Sequence, residues 1–437
     1  MSIVGAAMGS AAVPAAGTQR GRVAVVVLGD LGRSPRMQCH ARALGNAGFD
    51  VDLIGYAGRP PDDDVAAHPR IRIHLLTAPW RQRAPRWLFV PVATVDVAVQ
   101  AAALASVLAD VPRPDVLLTQ NPPTFPTAMV APVVAWARGA RWVIDWHNFG
   151  GHMLALRLGR GHPLVRLACA AERLLGRRAA GHLCVSEAMR LALATEWGVG
   201  AARVLRDRPA RRLGRTPPAE RARLFERLGI PVSPLPPASA GDESPERLAV
   251  IVTSSSWTAD EDFSLLLEAM ACCDAALARG DGLPRMLFVM TGEGPLRRHW
   301  ERRIEALGLK HVRTHALWVS AADYPRVLGA AALGVSLHRS ASGVDLPMKI
   351  ADMFGAGIPV CALAYGPVVS ELVRVGENGM LFSTGAELGH QLCEVLRGFP
   401  GRAPRLAELR RGVDRLAAES WEDGWKREAL PLFAGDG

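Results

Sequence analysis

Arg22 to Tyr56 reads RVAVVVLGDLGRSPRMQCHARALGNAGFDVDLIGY. Arg22 to Leu28 is a continuous valine-rich run, the pattern of a strand buried on both faces. The run ends in Gly29-Asp30-Leu31-Gly32-Arg33-Ser34. A helical pattern then runs from about Pro35 to Ala47, and Phe49 to Tyr56 reads as another strand. Strand, Gly-rich turn, helix and strand open a doubly wound α/β domain. The spacing predicts further strands near Val116–Thr119, Trp142–Asp145 and Gly181–Val185.

The alternation restarts later in the chain. Strands are predicted over Leu248–Thr253, Met286–Thr291, His311–His315, Leu333–Leu337 and Pro359–Ala362. Between the two series, Arg211 to Arg247 is rich in Pro and Arg and contains PLPPASAGDESP. It reads as an interdomain connection with a mobile loop. Arg405 to Phe433 reads as helical, carries Trp421 and Trp425, and could cross back to the first domain. A chain of 437 residues exceeds what one core normally serves. The expected division is a disordered extension over 1–20, a Rossmann-like domain over 21–210, and a linker over 211–246. A second Rossmann-like domain follows over 247–402, then a helical segment over 403–437.

Lys and Arg total 51 against 42 Asp and Glu, a formal charge of +9, and 49% of the residues are apolar. This is a globular composition. The basic balance suits anionic lipid or phosphorylated ligands. Arg is spread along the chain without an RNA-binding signature, so nucleic acid is not an expected partner. The cysteines are Cys39, Cys169, Cys184, Cys272, Cys273, Cys361 and Cys393. An odd number with no CxxC pair reads as reduced thiols in a cytosol-facing protein, without a zinc site. The N-terminal MSIVGAAMGSAAVPAAG lacks a basic leader and reads as a disordered extension, with a weak signal-like segment as the alternative. Leu88 to Ala109 is apolar but includes Asp96 and Gln100, and Trp80, Arg81, Arg83, Arg86 and Trp87 precede it. Both a core helix and a membrane-interface helix fit this pattern.

Two stretches in the second series could hold a nucleotide diphosphate. Thr291-Gly292-Glu293-Gly294-Pro295-Leu296 follows a strand and opens a helix. Gly292 and Gly294 would let the backbone approach a ligand. Ser342-Gly343-Val344-Asp345-Leu346-Pro347-Met348-Lys349-Ile350-Ala351-Asp352 leads into a helix, and Gly357-Ile358-Pro359 then turns into a buried strand. Small residues at the helix start can meet a diphosphate with N–H groups, and Lys349 can neutralise it. Asp352, one turn on, is placed to accept ribose hydroxyls. Ser254, Ser255, Ser256 and Trp257 follow the first strand of this series and would touch sugar or phosphate, or simply cap the helix near Asp262. His338, Arg339 and Ser340 also follow a buried strand. Asp62-Asp63-Asp64 reads as a solvated turn and Asp260-Glu261-Asp262 as a helix start, so no metal site is read.

Two Rossmann-like domains facing across a cleft form the GT-B architecture, and the second series resembles its nucleotide-sugar site. Asp352 matches the second carboxylate of the GT-B donor motif. The first has no Glu at its usual spacing, and Gly343 and Asp345 fill that region. More specifically, VVVLGDLGRSPRMQCHARALGNAGFDVDLIGY, QNPP, VIDWHNFGGHMLAL, LCVSEAMR, DRPA, SSSWTADEDFSLLLEAM, TGEGPL, DYPRVLGAAALGVSLHRSASGVDLPMKIADMFGAGIPVCAL and ENGMLF resemble the chitobiosyldiphosphodolichol β-mannosyltransferases, glycosyltransferase family 33. The resemblance runs from about Arg22 to Phe433.

The resemblance implies GDP-mannose as donor and dolichyl-diphosphate chitobiose (GlcNAc2-PP-dolichol) as acceptor. It implies Man-β1,4-GlcNAc2-PP-dolichol as product, made at the cytosolic face of the endoplasmic reticulum membrane, with other mannosyltransferases as candidate partners. Members carry an N-terminal transmembrane anchor. None is clear here, so peripheral or monotopic attachment is expected. GDP-mannose is an α-glycoside, so a β product requires inversion and a general base. Asp145-Trp146-His147-Asn148 ends a strand of the first domain. Asp145 or His147 is the expected base, with His152 in reserve and Asn148 on the acceptor side. Gly29, Gly32, Arg33, Ser34 and Arg36 are expected to bind the acceptor diphosphate. GT-B enzymes stabilise the leaving diphosphate with cations and backbone dipoles, so no essential metal or cofactor is expected. The alternatives are another GT-B lipid-linked-sugar transferase, or a non-catalytic nucleotide-binding scaffold of a mannosyltransferase complex.

Overall fold

A computed structural model describes residues 20–78, 89–208, 214–231, 248–339, 343, 344, 346–418 and 420–434. Two sheets organise it. The first holds β1 (Arg22–Asp30), β2 (Asp50–Tyr56), β3 (Ile71–Leu76), β4 (Val116–Asn121), β5 (Arg141–Trp146), β6 (Gly181–Cys184) and β7 (Ala202–Val204). Their order is β3-β2-β1-β4-β5-β6-β7, and β1 pairs in parallel with both β2 and β4. The second holds β8 (Leu248–Ser254), β9 (Arg285–Thr291), β10 (Val312–Leu317), β11 (Leu333–Ser336), β12 (Val360–Leu363) and β13 (Gly379–Phe382). It is parallel throughout in the order β10-β9-β8-β11-β12-β13. Both orders are doubly wound, and each reverses beside its first strand. Ligands in such sheets bind at that reversal, beyond the strands' carboxyl ends.

Burial explains the valine-rich runs. In β8, Ala249 and Ile251 join one core with Phe263, Leu266 and Phe288. Val250 and Val252 join the core on the other face with Leu287, Ile350 and Phe354. Successive side chains of a strand point to opposite faces, so a strand covered on both sides must be apolar at every position.

The chain separates into two compact units. One comprises Met1–Gln120, Phe125–Val143 and Phe433–Gly437, and the other Asn121–Thr124 and Ile144–Leu432. This division runs through the first sheet instead of falling at the expected linker. Within the larger unit, Ser186 Oγ donates to Val344 O at 2.8 Å. Glu371 accepts from Glu187 N and Ala188 N at 2.7 and 2.6 Å.

The stretch expected as linker contains a helix, Pro218–Arg227, because Leu224 and Phe225 find cover in the core beside β8. The Pro-rich loop itself and the N-terminal extension up to residue 19 lie outside the described residues. The C-terminal stretch is helical over Pro404–Ala418, Trp421–Glu428 and Leu430–Phe433. Its last turn reaches β5, where Arg141 Nη2 donates to Phe433 O at 3.0 Å.

Candidate functional site

The residues after β8, His338 after β11 and Lys349 converge on one side chain, Glu261. Its carboxylate is buried, with Oε2 accepting from Ser255 Oγ at 2.6 Å, Ser256 N at 2.8 Å and Trp257 N at 3.0 Å. Its Oε1 pairs with Lys349 Nζ, which also donates to Ser256 Oγ at 3.3 Å. Trp257 turns the chain with a φ of +49°, unusual for a bulky residue. Its ring is fully buried against Phe263, and its Nε1 donates to Gly292 O at 3.1 Å. Gly292 and Gly294 are needed for this approach, since a Cβ there would lie 2.0 Å from Ser255 O and 1.8 Å from Ser256 O respectively. The glycines of TGEGPL therefore seat the Ser-Ser-Ser-Trp loop.

His338 joins this cluster through a bridge between Glu261 and His338, and its Nδ1 lies 3.4 Å from Asp260 Oδ2. Lys349 stands in the first turn of the Met348–Gly355 helix, whose N-cap is Pro347. Its ammonium is not an isolated cation awaiting phosphate, because Glu261 already balances it. One of its three N–H donors is left for a ligand. Met348 is exposed beside it.

Asp352 faces inward. Tyr324 OH lies 3.3 Å from Asp352 Oδ2 and 3.1 Å from Ser254 Oγ. Burial pushes the Asp352 carboxyl up to about 6, against a smaller opposing effect of the Tyr324 hydrogen bond. Burial and the neighbouring Asp352 push the Tyr324 hydroxyl upward too. The structure thus draws Ser255, Ser256, Gly292, Gly294, His338, Pro347, Met348, Lys349 and Asp352 to the carboxyl end of the second sheet's reversal point. Gly343 has a φ of +74°, a conformation that favours glycine. Ser340, Ser342 and Asp345 lie outside the described residues.

A second polar centre lies beyond β4 and β5. Asp145 and His147 are two residues apart at a strand end, which puts them on one face. Asp145 is completely buried, while the His147 side chain is 23% exposed. His147 Nε2 lies 2.9 Å from Asp145 Oδ2. With a proton on Nε2 this contact is a donor to the buried carboxylate, and Nδ1 is then the ring's acceptor. His152 packs edge-on against Phe149 and Trp197 and serves an aromatic cluster. Asn148 Oδ1 accepts from Phe149 N at 2.8 Å, so its side chain braces the turn.

Glu172, which sequence reading missed, holds that turn in place. It is 2% exposed and accepts from Asn121 Nδ2 at 2.9 Å, Thr124 Oγ1 at 2.8 Å, Gly150 N at 2.6 Å and Gly151 N at 3.3 Å. Asn121 also accepts His147 N at its carbonyl, at 2.8 Å. A Cβ at Gly150 would come 2.1 Å from Thr124 Oγ1. Glu172, Glu261 and Tyr324 carry no motif of their own. Each sits in an ordinary helical or helix-start context, and only the fold reveals its partners.

The loop after β1 departs from the expected phosphate cradle. Asp30 is at its centre, accepting from Gly32 N and Arg59 N, both at 3.0 Å. Ser34 Oγ donates to Asp30 O at 2.8 Å. Arg33 lies 3.6 Å from Asp30 Oδ2, and Arg36 is buried in the helix behind. A Cβ at Gly32 would strike Pro60 O at 2.5 Å, so this glycine serves chain packing, and Gly29 opens onto the Ser34 hydroxyl. The Asp30 carboxylate thus occupies the amide of Gly32 in this loop and that of Arg59 in the neighbouring one.

Residues 32–208 match the family described as glycosyl transferase 4-like domain. The UDP-glycosyltransferase TURAN of Arabidopsis thaliana is 41% identical over 95% of this chain and 97% of its own. The chitobiosyldiphosphodolichol β-mannosyltransferase of Mus musculus is 40% identical over 96% of this chain and 91% of its own. Among solved structures, WaaG, a glycosyltransferase involved in lipopolysaccharide biosynthesis, superposes with a TM-score of 0.64 at 15% identity, covering 94% of this chain and all of that one. That likeness establishes the GT-B fold.

Proposed function

The chain belongs to the chitobiosyldiphosphodolichol β-mannosyltransferase family, and we propose that it transfers mannose from GDP-mannose to GlcNAc2-PP-dolichol with inversion, at the cytosolic face of the endoplasmic reticulum membrane. The observation that carries the chemistry is the pairing of buried Asp145 with partly exposed His147. His147 Nδ1 takes the proton of the acceptor's 4-hydroxyl as that oxygen attacks the anomeric carbon. The bond from that carbon to the phosphate oxygen breaks in line, and GDP leaves. Asp145 fixes the tautomer and stabilises the imidazolium that forms. At the second sheet, Lys349 and the first-turn N–H groups of its helix meet the diphosphate, and Asp352 faces the nucleoside side.

In this reading the leaving group is stabilised by a cation and backbone dipoles, so transfer needs no divalent ion and persists in chelator. The name of the Arabidopsis relative points to a UDP-linked donor, so the donor is the first thing to test. The full chain is incubated with a phytanyl-type chitobiosyl diphosphate and either GDP-mannose or UDP-sugars. A β1,4-mannosyl product formed only with GDP-mannose supports the proposal. Transfer from a UDP-sugar alone, or an α linkage, rejects it.

A further inference from the structure

A cavity of about 340 Å³ opens at the amino ends of β6 and β7. That is the lower end of the size range of small-molecule sites. Two turns build it, over residues 177–181 leading into β6 and over residues 198–201 leading into β7, and Leu432 adds an apolar wall. It shares no residue with the two polar centres described above. Three donor side chains line it, Arg177, His182 and Arg203, and among the described residues no carboxylate does.

Each donor is prepared in a different way. Arg177 Nε donates to Trp197 O at 2.8 Å. Gly198, at a φ of +68°, makes room for that guanidinium, since a Cβ there would lie 2.5 Å from Arg177 Nη2. The guanidinium is thus seated by one N–H and keeps both Nη groups. His182 is 7% exposed, and its Nδ1 accepts from Trp146 Nε1 at 3.2 Å. Burial holds the ring neutral, so its proton sits on Nε2, which has no partner among the described residues. Arg203 is exposed on β7, and its guanidinium has no carboxylate partner among the described residues. Solvated arginines are ordinary. A seated guanidinium and a buried unpaired N–H lining one cavity with no counter-charge are not, because a buried donor left unpaired is costly.

We propose that this cavity binds a small phosphate ester, its phosphoryl oxygens taking the guanidiniums of Arg177 and Arg203 and the Nε2–H of His182, with the organic part against Leu432. A phosphoryl group offers three acceptor oxygens to these three donors, where a carboxylate has two. The proposed transfer uses none of these groups. Two contacts nevertheless join the cavity to the turn that bears His147. His182 holds the indole of Trp146, and Trp197, whose carbonyl seats Arg177, stacks on Phe149 with ring centroids 3.9 Å apart. A ligand here lies one side chain away from that turn.

The full chain is titrated in a calorimeter with inorganic phosphate and with glucose 6-phosphate. Arg203→Glu and Gly200→Glu should each weaken binding by about tenfold or more, the first by reversing a charge and the second by putting a carboxylate into the cavity. Both positions are exposed, and a Cβ at Gly200 meets open space, so the fold should survive. Arg72→Glu, the same charge change at an exposed position of β3, should leave binding unchanged. GDP should bind the parent chain and both cavity variants alike, which separates this site from the proposed donor site. Phenylglyoxal labelling read by mass spectrometry localises the ligand: glucose 6-phosphate should protect Arg203 and not Arg72. Binding of either probe that both cavity variants weaken upholds the site. No binding at millimolar concentration, binding undiminished in both variants, or equal protection of Arg203 and Arg72 overturns it.

Discussion

His147 Nε2 lies 2.9 Å from Asp145 Oδ2, with the carboxylate wholly buried and the imidazole partly open. A carboxylate so placed acts through the ring it holds. His147→Ala should lower turnover by roughly 10²- to 10⁴-fold, the usual contribution of a positioned base. Asp145→Asn should cost on the order of 10²-fold or more, because an amide nitrogen facing Nε2 selects the wrong tautomer. GDP binding, followed by calorimetry, should survive both changes. Undiminished turnover in either variant would remove the base assignment.

Glu172 gathers four donors from two segments, Asn121–Thr124 and Gly150–Gly151; Asn121 O accepts from His147 N, and Gly150 follows His147 by three residues. Glu172→Ala strands buried donors and should cost about 3 kcal/mol or more in stability. Glu172→Gln keeps the volume but turns an amide N–H₂ toward donors. It should lower turnover while leaving the KM for donor nearly unchanged, and should shift the pH–rate profile as the imidazole's setting loosens. A Glu172→Gln enzyme with unaltered turnover and pH profile would show that the clamp does not position the base.

What the sequence disclosed follows from how each feature is built. β1 and β8 were readable because a strand covered on both faces must be apolar at every position. β3 was not, because IRIHLL is only half buried, with Arg72 and Leu75 exposed. The Asp145–His147 relationship was half readable: their spacing puts them on one face, but only burial shows that the imidazole is partly open and the carboxylate is not. Glu261 hid inside an acidic run that reads as a helix start. Its role depends on the positive-φ turn at Trp257, which no local pattern announces. The glycines after β1 suggested phosphate because glycine permits both close ligand approach and tight packing, and at Gly32 it is Pro60 and Arg59 that take the space.

Glu261 and Lys349 should behave as a unit. Lys349→Met removes a cation from the proposed diphosphate site and should weaken GDP binding by about tenfold. It also leaves Glu261 buried without its counter-charge, a change that typically costs about 3–5 kcal/mol of stability. Adding Glu261→Gln to Lys349→Met should recover part of that stability and none of the GDP affinity. Denaturant unfolding of the two single variants and the double variant measures the coupling. Strictly additive losses would mean that the two side chains do not form the pair seen here.

Acid stability supplies the last test, because two buried groups oppose each other over one pH window. Asp352 rises from 3.8 to about 6 on folding, chiefly by burial. Between those values the folded protein keeps a proton that the unfolded chain has released. Its contribution is therefore full below pH 3.8 and lost as pH climbs through 6, by about 3 kcal/mol. His182 falls from 6.5 to about 4, also by burial, and its neutral Nδ1 accepts from Trp146 Nε1 at 3.2 Å. Its contribution is full above pH 6.5 and lost as pH falls through 4, by a similar amount of about 3 kcal/mol. From pH 4 to 6 the two slopes nearly cancel. Asp352→Asn should unmask the histidine, so that stability rises more steeply with pH than in the parent chain. His182→Gln, which keeps an acceptor for Trp146, should unmask the carboxyl and tilt the profile the other way. Urea unfolding at several pH values reads both slopes. Parallel profiles for the parent and both variants would mean that neither group is buried in the state found here.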